Sequence, residues 1–259
     1  MPTFCAHLGY LFNELDPVER FSAASNAGFD WIEHPAPYGI GISQFLKLAQ
    51  TNGLKIAQIA APVGTKEGHE KGFACLPECE AEFIQSVESG IVAAKKLSCR
   101  FLHVMSGTVP AGQKREQLRS VYSSRIAIAA EMATRADMYL LIEPIDDNAV
   151  TGYFMNDPAY AVEVVQEIAK PNVKLLFDVY HAHNRGIDAV DFYKDYSGLI
   201  GHIQIADAPG RHEPGTGKIE FDRLFSLLDS SGYDGVVGLE YVPSGNTSNG
   251  LVWRQHYVR

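Results

Sequence analysis

Cysteine is scarce in this chain: four in 259 residues, at positions 5, 75, 79 and 99. No two stand as CxxC, and Cys75 and Cys79 have no second pair to complete a zinc tetrahedron. Thiols in a reducing compartment are therefore expected, not a disulfide framework. Positive charge is also in short supply. Lys and Arg number 22 against 31 Asp and Glu, a net charge of -9, and the longest basic run is Lys95-Lys96. Phosphate neutralisation needs clustered cations, so a nucleic-acid surface is not expected. No apolar run approaches the roughly 18 residues of a membrane span. Met1-Pro2-Thr3-Phe4 lacks a charged n-region and a long apolar stretch, so no secretory leader is expected, and the chain reads as soluble and cytoplasmic. Gly9-Tyr10-Leu11-Phe12 is not the Gly-rich turn that usually follows the first strand of a dinucleotide-binding sheet. No linker, low-complexity segment or charge block divides the chain.

What is present is an alternation of short apolar runs with longer segments of helical period. Strands are predicted at Phe4–Leu8, Trp31–Glu33, Lys55–Ala60, Phe101–Met105, Tyr139–Glu143, Val173–Asp178, Ile200–Ala206 and Gly235–Glu240. Helices are predicted between them: one entered by Asp16-Pro17, then Ser43–Asn52, Glu78–Leu97 and Lys114–Ala136. Another is capped by Asp157-Pro158, and Ile187–Tyr196 and Asp222–Ser231 follow. Eight strand-helix units over one chain of this length predict an α/β protein, a single-domain (β/α)8 TIM barrel spanning 1–259.

Four of the strands end in, or carry near their ends, an oxygen donor suited to a hard cation: Glu143, Asp178, Gln204 and Glu240. Strand alternation puts Leu141 and Glu143 on one face, and the same parity turns Asp178, Gln204 and Glu240 toward a barrel axis. In a barrel, the carboxyl ends of the strands converge on one mouth. Three carboxylates gathered there repel one another and resist losing water unless a cation compensates them. An all-oxygen set with one neutral amide suits Mg²⁺ or Mn²⁺ better than zinc.

The motifs Ile142-Glu143-Pro144-Ile145, Asp178-Val179-Tyr180-His181 and Gly201-His202-Ile203-Gln204-Ile205-Ala206-Asp207 stand in order. Arg211-His212-Glu213-Pro214-Gly215-Thr216-Gly217 and Gly238-Leu239-Glu240-Tyr241 follow them. Together with Phe73-Ala74-Cys75-Leu76-Pro77, they resemble the hydroxypyruvate isomerase family of the xylose-isomerase-like barrels over nearly the whole chain. The resemblance implies isomerisation of a small hydroxy-carbonyl acid, hydroxypyruvate and tartronate semialdehyde being the parent pair. It implies Glu143 and Glu240 as the acid/base pair, with Glu143, Asp178, Gln204 and Glu240 as metal ligands. The chemistry of the residues agrees: a carboxylate on each side can move a proton between adjacent carbons, and a divalent cation can stabilise the enediolate charge.

Further candidates surround this set. His181 is expected in the loop after the sixth strand, donating to substrate or to a ligand. Arg211 can clamp a substrate carboxylate with its fork. Glu70 and Lys71 lie in the long loop after the third strand, a candidate lid. His202 shares the parity of Gln204 and reads equally as a core or a site residue, and His103 reads as core. The chain departs from the family at His7, where relatives commonly carry Asn, at His34-Pro35-Ala36-Pro37, and at Thr65-Lys66 with His69-Glu70-Lys71-Gly72. These departures touch the substrate pocket, so a four-carbon 2-oxotetronate is an alternative substrate. A lyase or dehydratase, and a sugar-acid binding module, are further alternatives. An endonuclease IV-type nuclease is disfavoured, because it needs histidines near the ends of strands three and four.

Overall fold

The computed structural model describes residues 2–257. Eight strands run in chain order around a closed barrel: β1 Thr3–His7, β2 Trp31–His34, β3 Lys55–Ala60, β4 Phe101–His103, β5 Tyr139–Ile142, β6 Val173–Asp178, β7 Ile200–Ile205 and β8 Val236–Leu239. Every pairing is parallel. A parallel strand needs a crossover back to its starting end, and helices fill the intervals, giving the expected (β/α)8 barrel. The eight strands fall within a residue or two of the sequence expectation, and β3 and β6 match it at both ends.

The chain clusters into two compact units. One holds residues through Ala57, Asp178–Ser197 and the chain from His202 onward. In it β1 pairs with β2 on one side and with β8 on the other, and β8 also pairs with β7. Its helix Phe221–Ser230 buries Phe221, Leu224, Phe225 and Leu228, the spacing of one helical face. Phe4 and Trp253 meet Phe225 edge-on and stacked respectively, closing an aromatic cluster over that face.

The other unit holds Gln58–Phe177 and Gly198–Gly201. In it β3, β4, β5 and β6 pair in succession. The helix Pro158–Ile168 starts as expected: Asp157 accepts hydrogen bonds from the amides of Ala159 and Tyr160, and Pro158 occupies the first turn. Arg125, buried on the helix Arg115–Thr134, donates to the carbonyls of Phe73, Ala74, Leu76 and Pro77. The Phe73–Pro77 motif is thus a backbone turn held by one guanidinium.

Candidate active site

β6 delivers Asp178, and two jobs fall to its carboxylate. Oδ1 accepts from the amides of Tyr180 (2.8 Å) and His181 (3.4 Å), capping a short helix, Val179–Asn184. Oδ2 lies 3.2 Å from Arg211 Nη2 and 3.5 Å from His181 Nε2. His181 therefore sits on a capped helix, not in the loop expected from sequence, and the cap aims its ring back at Asp178.

β8 runs into Glu240, whose amide donates to the carbonyl of Ile205 on β7. Its Oε1 is 2.6 Å from Arg211 Nη2 and its Oε2 is 3.6 Å from His7 Nε2. His7 ends β1, and its Nδ1 accepts from the Gly9 amide, so the neutral ring carries its proton on Nε2, toward Glu240. Burial lowers His7 to about 4, overriding the attraction of Glu33 and keeping the ring neutral. Burial also pushes Glu240 up to about 7, helped by the carboxylates of Asp178 and Glu33 and opposed by Arg211 and His181.

Arg211 bridges the two acids, and its Nε donates to the Glu240 carbonyl at 3.3 Å. The guanidinium lies between two aromatic faces, 4.9 Å from the Tyr10 centroid and 5.1 Å from that of Tyr180. Its backbone is left-handed, φ 57°, directly after Gly210 at φ 100°. The loop that carries it is organised by Asp207, buried at the end of β7. Asp207 accepts from four backbone amides, those of Ala208, Gly215, Gly217 and Ile219, at 2.8 to 3.1 Å.

A fully buried carboxylate, Glu33 of β2, stands behind this surface. Its Oε2 is 2.6 Å from His202 Nε2, and its Oε1 accepts from Gln204 Nε2 at 2.9 Å. Burial pushes Glu33 up, but His202, His7 and the Gln204 amide outweigh it and hold the group below the usual carboxylate value. The other end of the amide, Gln204 Oε1, is buried with no hydrogen-bond partner among the described residues. A buried unpaired carbonyl oxygen is costly, which suits an atom reserved for a ligand. His7, Glu33 and Glu240 bring a ring nitrogen and two carboxylate oxygens within 4.8 Å of one another, but His7 Nδ1 and both Glu33 oxygens are engaged in hydrogen bonds, which leaves Asp178, Glu240 and Gln204 Oε1 as the oxygen donors for a divalent ion in this unit. Asp178 and Glu240 share one guanidinium here.

Asp178, Gln204, Glu240, His181 and Arg211 thus lie in one unit, together or joined by shared neighbours. The other unit carries Glu143, immediately past β5 and buried, with Oε2 3.5 Å from His103 Nε2. His103, at the end of β4, is buried as the core reading expects, and its ring lies beside Glu143. Glu70 and Lys71 are exposed on the loop between β3 and the helix Glu80–Lys96. Sequence reasoning named His7 only as a departure at the substrate pocket and passed over Glu33, Tyr10, Tyr180 and Asp207 as site residues. For Glu33 the signal existed: Trp31-Ile32-Glu33 is an apolar run closed by a carboxylate, the same rule that singled out Glu143.

Residues 21–256 match the family model described as the xylose isomerase-like TIM barrel. Over full length the chain is 36% identical to a 2-oxo-tetronate isomerase of Cupriavidus necator, covering 100% of this chain and 99% of that one. It is 34% identical to a hydroxypyruvate isomerase of Escherichia coli, with 99% and 100% covered. A crystal structure described as AP endonuclease, family 2, from Brucella melitensis superposes with a TM-score of 0.95 at 34% identity, both chains fully covered. With its barrel, its strand-end carboxylates and these relatives, the chain belongs to the xylose isomerase-like TIM barrel family.

Proposed function

We propose that this chain isomerises a small hydroxy-oxo acid, hydroxypyruvate to tartronate semialdehyde, with Glu143 and Glu240 as the acid/base pair. Glu143, Asp178, Gln204 and Glu240 are the proposed ligands of a divalent cation, Mg²⁺ or Mn²⁺. The observation that carries the reading is the buried, unpartnered Gln204 Oε1 within the network that also holds Glu240 and Asp178. Oxygen donors of this kind fit a hard ion. When bound, such an ion polarises the substrate carbonyl and stabilises enediolate charge.

The side chains do the rest. Glu240, whose carboxyl burial pushes up in the metal-free site, is the proposed group that takes and returns a proton. Arg211, fixed between two tyrosines, presents a fork that a substrate carboxylate can engage in competition with Asp178 and Glu240. His181, aimed by the helix cap, donates to a substrate oxygen. Glu70 and Lys71 are proposed to meet the substrate from the loop after β3. The family match runs through most of the chain without a break, which supports reading 1–259 as one functional domain. A cytoplasmic setting accords with four buried thiols, and no helix among the described residues is long and apolar enough to cross a membrane.

A second substrate is favoured by one observation: the Cupriavidus necator relative is a 2-oxo-tetronate isomerase. Against the nuclease named for the Brucella melitensis structure stand the net charge of -9 and the end of β3, Ile59-Ala60-Ala61, which offers no histidine. The test is direct. Protein loaded with Mn²⁺ is incubated in D₂O with hydroxypyruvate or with 2-oxotetronate, and products are followed by NMR. Interconversion with deuterium entering the exchanging carbon is expected for one acid. Conversion of neither ends the isomerase reading.

A further inference from the structure

We propose that Glu33 is a positioning residue that fixes which end of the Gln204 amide faces the site, an inference that rests on the cation reading above. A carboxylate can only accept hydrogen bonds, whereas a primary amide has one donating and one accepting end. Glu33 Oε1 lies 2.9 Å from the end of the Gln204 side chain, so that end must be the NH₂ group. The carbonyl oxygen is then turned the other way, where it has no hydrogen-bond partner among the described residues. Without this restraint the amide could rotate by half a turn and present its NH₂ group, a donor that no cation tolerates.

The geometry of the pair leaves little freedom. Glu33 is fully buried, and its second oxygen is occupied by His202 Nε2 at 2.6 Å, so the carboxylate cannot swing away from Gln204. Because the carboxylate accepts, His202 must donate through Nε2. The three residues come from only two strands, β2 and β7, and β8 makes room for them: a Cβ at Gly238 would overlap Glu33 Oε1 and press on Gln204 Cγ. The absence of a side chain at 238 is thus part of the same device. Orienting partners of this kind typically change metal affinity by about 10- to 100-fold when removed.

The informative variant is Glu33→Gln. With the proton of His202 kept on Nε2, the oxygen of the new amide turns to His202 and its NH₂ group faces Gln204. That forces Gln204 to present its own oxygen inward and its NH₂ group to the site. Mn²⁺ affinity of the metal-depleted protein, measured by titration calorimetry, is expected to fall about 10-fold or more. The exchanged pair, Glu33→Gln with Gln204→Glu, restores an acceptor opposite the new donor and an oxygen toward the site. It is expected to recover most of the lost affinity, which a general packing defect at position 33 would not allow. Affinity of Glu33→Gln within twofold of the parent, or an exchanged pair that folds and binds no better than the single variant, overturns the proposal. A readout without metal separates it from the cation reading. In ¹⁵N-glutamine-labelled, metal-free protein, the Gln204 side-chain NH₂ should exchange slowly with solvent, and Glu33→Gln should shift its resonance. If the parent binds no Mn²⁺ but shows that protected signal, the cation reading fails and the pinned amide stands. Exchange at the rate of a solvated glutamine overturns it, whether or not either variant folds.

Discussion

Burial, with the carboxylates of Asp178 and Glu33 beside it, pushes Glu240 up to about 7, against the pull of Arg211 and His181. In the unfolded chain the group ionises near 4.5, so between there and pH 7 the folded protein keeps a proton that the unfolded chain has released. The stability this group contributes is full below pH 4.5 and is lost as pH rises through 7, by about 3 kcal/mol if the whole shift counts. Glu240→Gln removes that dependence. In metal-free protein its stability relative to the parent should climb between pH 4.5 and 8, as urea unfolding at both ends would measure. A difference that stays flat means that Glu240 is not held protonated. The same variant, with metal present, should lose turnover by roughly 10² or more, and Glu143→Gln should do likewise. On the proposed assignment of both to one proton relay, the double variant should be little worse than the poorer single. Near-normal turnover in either Gln variant, with metal retained, would remove that residue from the acid/base pair.

Two elements carry more of the site than their length suggests. The helix Val179–Asn184 has six residues, too few to show a period, and exists because Asp178 caps it. Asp178→Asn keeps an accepting oxygen for the cap but loses a charge. It should weaken Mn²⁺ binding more than it lowers the unfolding midpoint, the fold's loss coming from a new NH₂ group facing Arg211 and His181. Asp178→Ala should in addition cost about 1 kcal/mol for the lost cap, which chemical denaturation of the two variants would resolve. The loop after β7 is likewise hung on one carboxylate. Asp207→Asn leaves one accepting oxygen and a donor facing backbone amides, so the loop bearing Arg211 should loosen. Substrate KM is expected to rise about 10-fold or more with kcat less affected, on the proposal that Arg211 binds the substrate carboxylate and moves no proton; steady-state kinetics on the converted acid checks this. These cases also mark what could be read in advance. β3 and β6 were legible to the residue because apolar runs with clear boundaries define them. The helix Val179–Asn184 was not, because a tertiary carboxylate, not a repeating pattern, starts it. His103 is buried as read from sequence, but its closeness to Glu143 was not legible, because no local pattern pairs β4 with the residue after β5.

Across the whole molecule, the barrel was legible because eight apolar runs alternate with helical segments, and strand parity pointed to Asp178, Gln204 and Glu240 at the strand ends. What parity could not supply is pairing: Glu33 and Gln204 meet across 171 residues of sequence, and no local rule joins them. A cation bound through such scattered donors ties its own affinity to the folded state, since the unfolded chain brings none of them together. At free Mn²⁺ a hundredfold above its Kd, the stabilisation is about 2.7 kcal/mol. For a chain of about this size that corresponds to a rise in Tm of roughly 5–10 °C. Thermal unfolding of the parent in chelator and in Mn²⁺ should show this shift, Asp178→Asn should show much less of it, and chelated protein should lose most of its activity until Mg²⁺ or Mn²⁺ is returned. The three measurements stand or fall together. A metal-depleted protein that keeps full activity and unfolds at the same temperature with Mn²⁺ would take the cation out of the proposed mechanism, leaving the proton transfer to the side chains alone.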